Sequence, residues 1–132
     1  KQILEDYNYE QEKIDEIIHC IKAHRFRKGE QPETKEAKIL SDADKLDAIG
    51  AIGIGRVFSF AGHIGSYVHI NNEETHIEEY SKKDTPYREY LVKLRKIKDR
   101  MLTETGKEFA EQRHNFMKDF FERLNKEVEG EI

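Results

Sequence analysis

Apolar residues recur at three- and four-residue intervals along most of the chain, the spacing of amphipathic helices. In EQEKIDEIIHCIKAH, residues 10–24, Ile14, Ile17, Ile18 and Ile21 fall on one side of a predicted helix. RFRKGEQPETK, residues 25–35, is punctuated by Gly29 and Pro32 and reads as a turn or short loop. Thr34 followed by Ala37 is not the standard capping box, but Pro32 marks the approach to a new helix. That helix is predicted from Glu33 to Phe58 or slightly beyond, with FSFAGHIG ending it. Gly50, Gly53 and Gly55 lie inside it, each costing up to about 1 kcal/mol of helix propensity. They call for a close backbone or ligand contact, or for a break between two helices.

The segment from Ser66 to Tyr90 is polar, aromatic and irregular. YLVKLRKIKDRM, residues 90–101, reads as a basic amphipathic helix, and residues 108–129 as a long charged one. In the last helix Phe109, Ala110, Phe116, Met117, Phe120, Phe121 and Leu124 form the expected core stripe. No repeat or low-complexity tract interrupts this pattern. The reading is all-α, one domain over residues 1–132.

Composition narrows the classes. Of the 132 residues, 36% are hydrophobic and 38% charged, a charge load that only the helical clustering reconciles with folding. The net charge of −4 gives no bulk attraction to nucleic acid or to an anionic membrane. Cys20 is the single cysteine, so no intrachain disulfide framework exists and a reducing, cytoplasmic setting is expected. No apolar run approaches a membrane span. The chain starts in helix-like sequence without Met, and is expected to be part of something longer.

Candidate chemistry gathers in ILSDADKLDAIGAIGIGR, residues 39–56. On one continuous helix, Asp44 and Asp47 fall within about 40° of Leu40, beside small Ala43 and Ala51, while Asp42 points about 200° away. A buried carboxylate needs a cation, a hydrogen bond or a metal. Asp44 is therefore a metal-ligand candidate, with pairing to lysines or helix capping as the plain alternative. His24 projects to the side of Ile17 and Ile21, where an imidazole suits a metal, a phosphate or a proton transfer, or is simply a satisfied core histidine. Arg25, Arg27 and Lys28 follow it directly and suit phosphate oxygens, or form a solvated loop. There is no P-loop, no GxSxG, no HExxH and no thiolate zinc cluster. Tyr67, Tyr80, Tyr87 and Tyr90 are candidates to line a pocket, and equally ordinary core or surface tyrosines.

SDADKLDAIGAIGIGRVF, together with IIHCIKAHRFRKG and TETGKEFAEQRHNFMKDFFERLNKE, resembles the HD-domain metal-dependent phosphohydrolases. The closest resemblance is to the subgroup with nucleoside triphosphate pyrophosphohydrolases. It implies an HD-like helical bundle, incomplete at the N-terminus, because the upstream His and the His-Asp doublet are absent; the chain has no His-Asp pair anywhere. The family's distant metal-binding Asp maps onto Asp44. By the same resemblance His24 matches an additional histidine near metal and substrate, Asp47 orders the site or contacts a partner residue, and Arg56 braces it or contacts phosphate. The implied ion is manganese, iron, nickel, cobalt or zinc, with magnesium less suited to mixed nitrogen and oxygen ligands. The implied reaction is water attack on phosphorus in a nucleotide or small phosphoester. A homodimer or a missing N-terminal segment is expected to cover the exposed apolar positions. Two other readings stand beside it: a catalytically incomplete interaction module on this scaffold, and a nucleic-acid binder using the basic residues 93–100, which the flanking acids argue against.

Overall fold

The computed structural model describes residues 1–25, 30–70 and 77–132. It divides into two compact units, Lys1–Asp44 and Lys45–Ile132.

In the first unit, α1 (Gln2–Asp6) leads into α2 (Gln11–Ala23), and α3 (Lys35–Leu46) begins. The isoleucine stripe of α2 is only partly buried. Ile14 is fully enclosed and Ile17 and Ile18 half-buried, but Ile21 is 59% exposed, contrary to the sequence expectation. Ala23 supplies the second buried contact instead. Thr34 caps α3 without a capping box: its Oγ1 accepts from the Ala37 N–H at 3.1 Å. The buried residues of α3 are small or polar: Ala37, Ser41 and Asp42.

The single helix expected over residues 33–58 is two helices. α3 ends at Leu46, and α4 runs over Gly50–Ile64. The glycines account for the break. Gly50 takes φ +76°, a conformation that a side chain disfavours, and lies against the alkyl chain of Arg113. At Gly53 a Cβ would sit 2.3 Å from the Ala48 carbonyl oxygen, so the returning backbone requires glycine there. Gly55 faces open space and meets neither demand. Gly65, in left-handed conformation, closes α4, with the Ser66 N–H donating to the Ala61 carbonyl at 2.9 Å.

The basic helix expected over residues 90–101 is also shorter. α5 spans Pro86–Val92, and two 3₁₀ turns, Leu94–Lys96 and Lys98–Arg100, follow it. Thr85 and Pro86 start α5 by the usual chemistry: the threonine Oγ1 accepts from the Arg88 N–H, and proline needs no partner in the first turn. α6 extends over Glu104–Glu129, longer than the sequence suggested, with Thr103 Oγ1 accepting from the Gly106 N–H at 2.9 Å.

The core of the second unit is aromatic and aliphatic. Phe121 and Met117 of α6 are enclosed with Ile49, Ile54, Tyr90, Leu94 and Ile97. The rings of Tyr90 and Phe121 stack with centroids 4.4 Å apart, and Phe58 packs against both Phe120 and Phe121. Phe109 and Phe116, assigned to the same stripe by sequence, are half exposed.

Candidate functional site

The turn after α3 is held by two arginines. Arg113, from α6, donates its Nη1 to the Leu46 carbonyl, and Arg56, from α4, donates Nη1 to the Asp47 carbonyl at 3.0 Å. The last carbonyls of a helix lack internal partners and carry partial negative charge, so guanidinium donors suit them. Arg56 thus ties α4 to the turn after α3. It remains exposed, and a guanidinium has further donors beyond the one used.

The break changes the geometry of the aspartates. A helical wheel carried through residues 40–54 does not apply, because Asp47 lies in the turn beyond α3. Asp42, assigned to the far side, is 3% exposed, whereas Asp44 is exposed. His24 lies just past the end of α2, half-buried, with Nδ1 against the Ile21 carbonyl. Arg25 follows it, exposed. Arg27 and Lys28 lie outside the described residues. The histidine that organises this unit is His19. Its Nδ1 is 3.3 Å from a Glu30 carboxylate oxygen and its Nε2 accepts from the Glu33 N–H at 3.2 Å, so both ring nitrogens tie α2 to the approach to α3. No local pattern in the sequence announces a bond across fourteen positions.

Within the second unit, α4, α5 and the strand-free segment 79–85 wall a surface groove of about 1110 Å³. Along α4 its wall presents Gly53, Arg56, Phe60 and His63. The opposite side presents Tyr80, Glu89 and Lys93. The charges are largely paired. Lys93 meets Glu89 of the preceding turn, and Arg88 donates to Asp84 at 2.7 Å from a nearly enclosed position. Arg88 Nη2 also donates to the Ile77 carbonyl at 3.0 Å, and the second Asp84 oxygen accepts the Tyr80 N–H at 2.8 Å. Ser66 Oγ donates to the Asp84 carbonyl at 2.8 Å, joining the end of α4 to the same corner. The sequence did carry a signal for this clamp: Asp84 and Arg88 stand four apart across the Thr-Pro start of a helix. Among the expected tyrosines, Tyr80 lines the groove and Tyr90 is core. Tyr67 is exposed, and Tyr87 stacks on His69 with centroids 5.1 Å apart.

Burial pushes the Tyr90 phenol up from its ordinary value. His114 is held below its ordinary value by burial first and by the nearby Lys98 ammonium second. Lys98 itself pairs with Glu111 at 3.0 Å.

Among the described residues, no group of three or more His, Cys, Asp or Glu side chains could hold a metal ion. The described residues therefore do not fit a self-contained metal centre. Nor is any helix among them long and apolar enough to cross a membrane.

Comparison with known proteins fixes the scaffold. Residues 1–49 match the HD domain model. The chain is 33% identical to Bacillus subtilis YpgQ solved in complex with ADP, with a TM-score of 0.75 over 96% of this chain and 58% of that one. The fold is that of the HD-domain superfamily. An HD-superfamily hydrolase from Bacillus thuringiensis superimposes with a TM-score of 0.76 at 33% identity, covering 97% of this chain and 60% of that one. By sequence, the uncharacterized protein YpgQ of Bacillus subtilis is 39% identical over 123 residues, 90% of this chain and 55% of the relative. The chain thus spans little more than half the length of the HD-domain relatives it matches.

Proposed function

We propose that this chain is a nucleotide-binding helical unit on the HD scaffold that does not complete a catalytic centre by itself. The observation that carries this is its likeness, across 96% of its length, to a relative solved with ADP, in a chain without a His-Asp pair. Arg56 is the phosphate contact of the second unit, since it lines the groove and retains donors beyond the Asp47 carbonyl. Arg25, Arg27 and Lys28 are further phosphate contacts of the first unit. Asp44 would contribute one carboxylate to a divalent ion, with His24 a further candidate in the same unit. Hydrolysis of nucleotides or related phosphoesters, with nucleoside triphosphate cleavage to monophosphate the foremost case, is the reaction of the completed site. The nucleic-acid reading has less support, because Lys93 and Lys98 of the basic segment are paired with Glu89 and Glu111.

The test combines calorimetric titration with ADP, metal content by plasma mass spectrometry, and phosphate release from nucleoside triphosphates with manganese. The 132-residue chain is expected to bind ADP, about tenfold more weakly as Arg56→Ala, given that hydrogen bonds to charged groups contribute about 1.5–3 kcal/mol. It is expected to release no phosphate. Turnover that accompanies one bound ion, with both lost in Asp44→Ala, would instead make the chain a complete enzyme. No ADP binding would remove the nucleotide reading.

A further inference from the structure

Tyr80 holds a backbone conformation that its side chain disfavours. Its φ is +65°, in the left-handed region where a bulky aromatic residue is an outlier. Such strain persists only where surrounding contacts enforce it, and it concentrates at ligand sites. Here the enforcing contacts are explicit. Asp84 accepts the Tyr80 N–H through one carboxylate oxygen and is fixed through the other by Arg88. Arg88 is in turn tied to the Ile77 carbonyl, so the residues on both sides of Tyr80 are held from one guanidinium.

The strain does not bury the ring. Tyr80 is 64% exposed and lines the groove. Phe60, 47% exposed, lines the same groove and meets Tyr80 edge to face, with centroids 5.8 Å apart. Burying apolar area gives no account of two large rings left in solvent, one of them at a backbone cost. Phe60 stands four residues after Arg56 on α4, so its ring and the guanidinium lie about one helical turn apart along that wall, and Tyr80 meets Phe60 from the other side. The groove therefore offers a cationic end and an aromatic end.

We infer that the face of Tyr80, buttressed edge to face by Phe60, is a stacking platform for the planar base of a nucleotide whose phosphates lie toward Arg56, and that the Asp84–Arg88 clamp positions Tyr80 for it. This rests on the nucleotide reading above and adds which part of the ligand each end of the groove takes. A π-face is common to every base, so the platform selects for an aromatic ring rather than for one base.

The experiment titrates the 132-residue chain with ADP and, separately, with inorganic pyrophosphate. Tyr80→Gly is the decisive variant, because glycine accepts the left-handed backbone without strain. It should keep or raise the melting temperature while weakening ADP about tenfold and changing pyrophosphate less than about twofold, in line with the stacking contribution of an aromatic side chain. Phe60→Leu should weaken ADP in the same selective way, and Tyr80→Phe should retain wild-type affinity. Arg88→Met should weaken ADP selectively by releasing Tyr80, while Arg88→Met combined with Tyr80→Gly should bind no more weakly than Tyr80→Gly alone. ADP binding that is unchanged in Tyr80→Gly, or weakened equally with pyrophosphate, overturns the platform and leaves the nucleotide reading standing. A wild-type chain that binds pyrophosphate but gains nothing from the base also overturns it. No binding of either ligand overturns both.

Discussion

The two compact units bury different materials. In Lys45–Ile132, the enclosed side chains are large: Phe121, Met117, Tyr90, Leu94 and Ile97. Across Lys1–Asp44 the described buried residues include one large aliphatic, Ile14, with Pro32, Ala23, Ala37, Ser41 and Asp42, while Ile21, Ile39 and Leu40 are exposed. Hydrophobic stabilisation scales with apolar area removed from water, so the second unit has a strong internal source of it and the first has little. What orders the first unit is directional: the Thr34 cap and the two bonds of His19. A helix can therefore have good amphipathic spacing and still leave its best apolar residues uncovered, as α2 and α3 do.

The contrast breaks first at Phe121. Phe121→Ala should cost about 3–5 kcal/mol in urea denaturation, because it empties the centre of a packed aromatic cluster. Leu40→Ala, at an exposed position, should cost less than about 0.5 kcal/mol. Comparable losses for the two would mean that the units do not differ in this way.

The glycines sharpen the comparison within one helix. Gly53→Ala should destabilise by about 1–3 kcal/mol, since its Cβ would press on backbone that cannot yield cheaply. Gly55→Ala, facing open space, should stabilise by up to about 1 kcal/mol through helix propensity. Thermal melts of the two variants should move in opposite directions.

His19→Ala should cost the first unit about 1 kcal/mol and raise hydrogen exchange at the Glu33 amide, with core amides of α6 unaffected. Uniform acceleration of exchange would show that this histidine supports the whole chain instead.

The smallest effect is His114. Its folded value lies below that of the unfolded chain, so the unfolded state takes up the proton first as pH falls through about 6.5. Stability contributed by the neutral ring is complete above that pH and is lost on acidification toward the folded value. His114→Gln should flatten part of the decline in urea midpoint between about pH 7.5 and 5.

Helical class was legible because the 3.6-residue period is strong along most of the chain. Where the sequence reading departed from the structure, the causes are local. A wheel drawn through DADKLDAIGAIG presumes one axis, and the left-handed Gly50 ends that axis before the face of Asp47 has meaning. In α6, Ala110, Met117 and Phe121 share one face, while Phe109 and Phe116 lie about 100° away from it. Hydrophobicity alone merged these two faces into one. The family signature marked Asp44 and Arg56, but only the structure assigns Arg56 to the end of α3 and places Arg113 beside Gly50. The clamp at Asp84 and Arg88 falls in the segment that reads as irregular in the sequence, and its role depends on the backbone of Tyr80, which no pattern of residue types discloses.

The bond from Arg113 to the Leu46 carbonyl closes a loop of 67 residues. During synthesis, the end of α3 is made long before the arginine that caps it. Until α6 has been made and docked, the turn at Gly50 lacks both its distal donor and the alkyl chain packed on its Cα. The signature segment is thus among the earlier parts of this chain to be translated and among the last to be locked, because contacts of such separation form only after the intervening chain has collapsed.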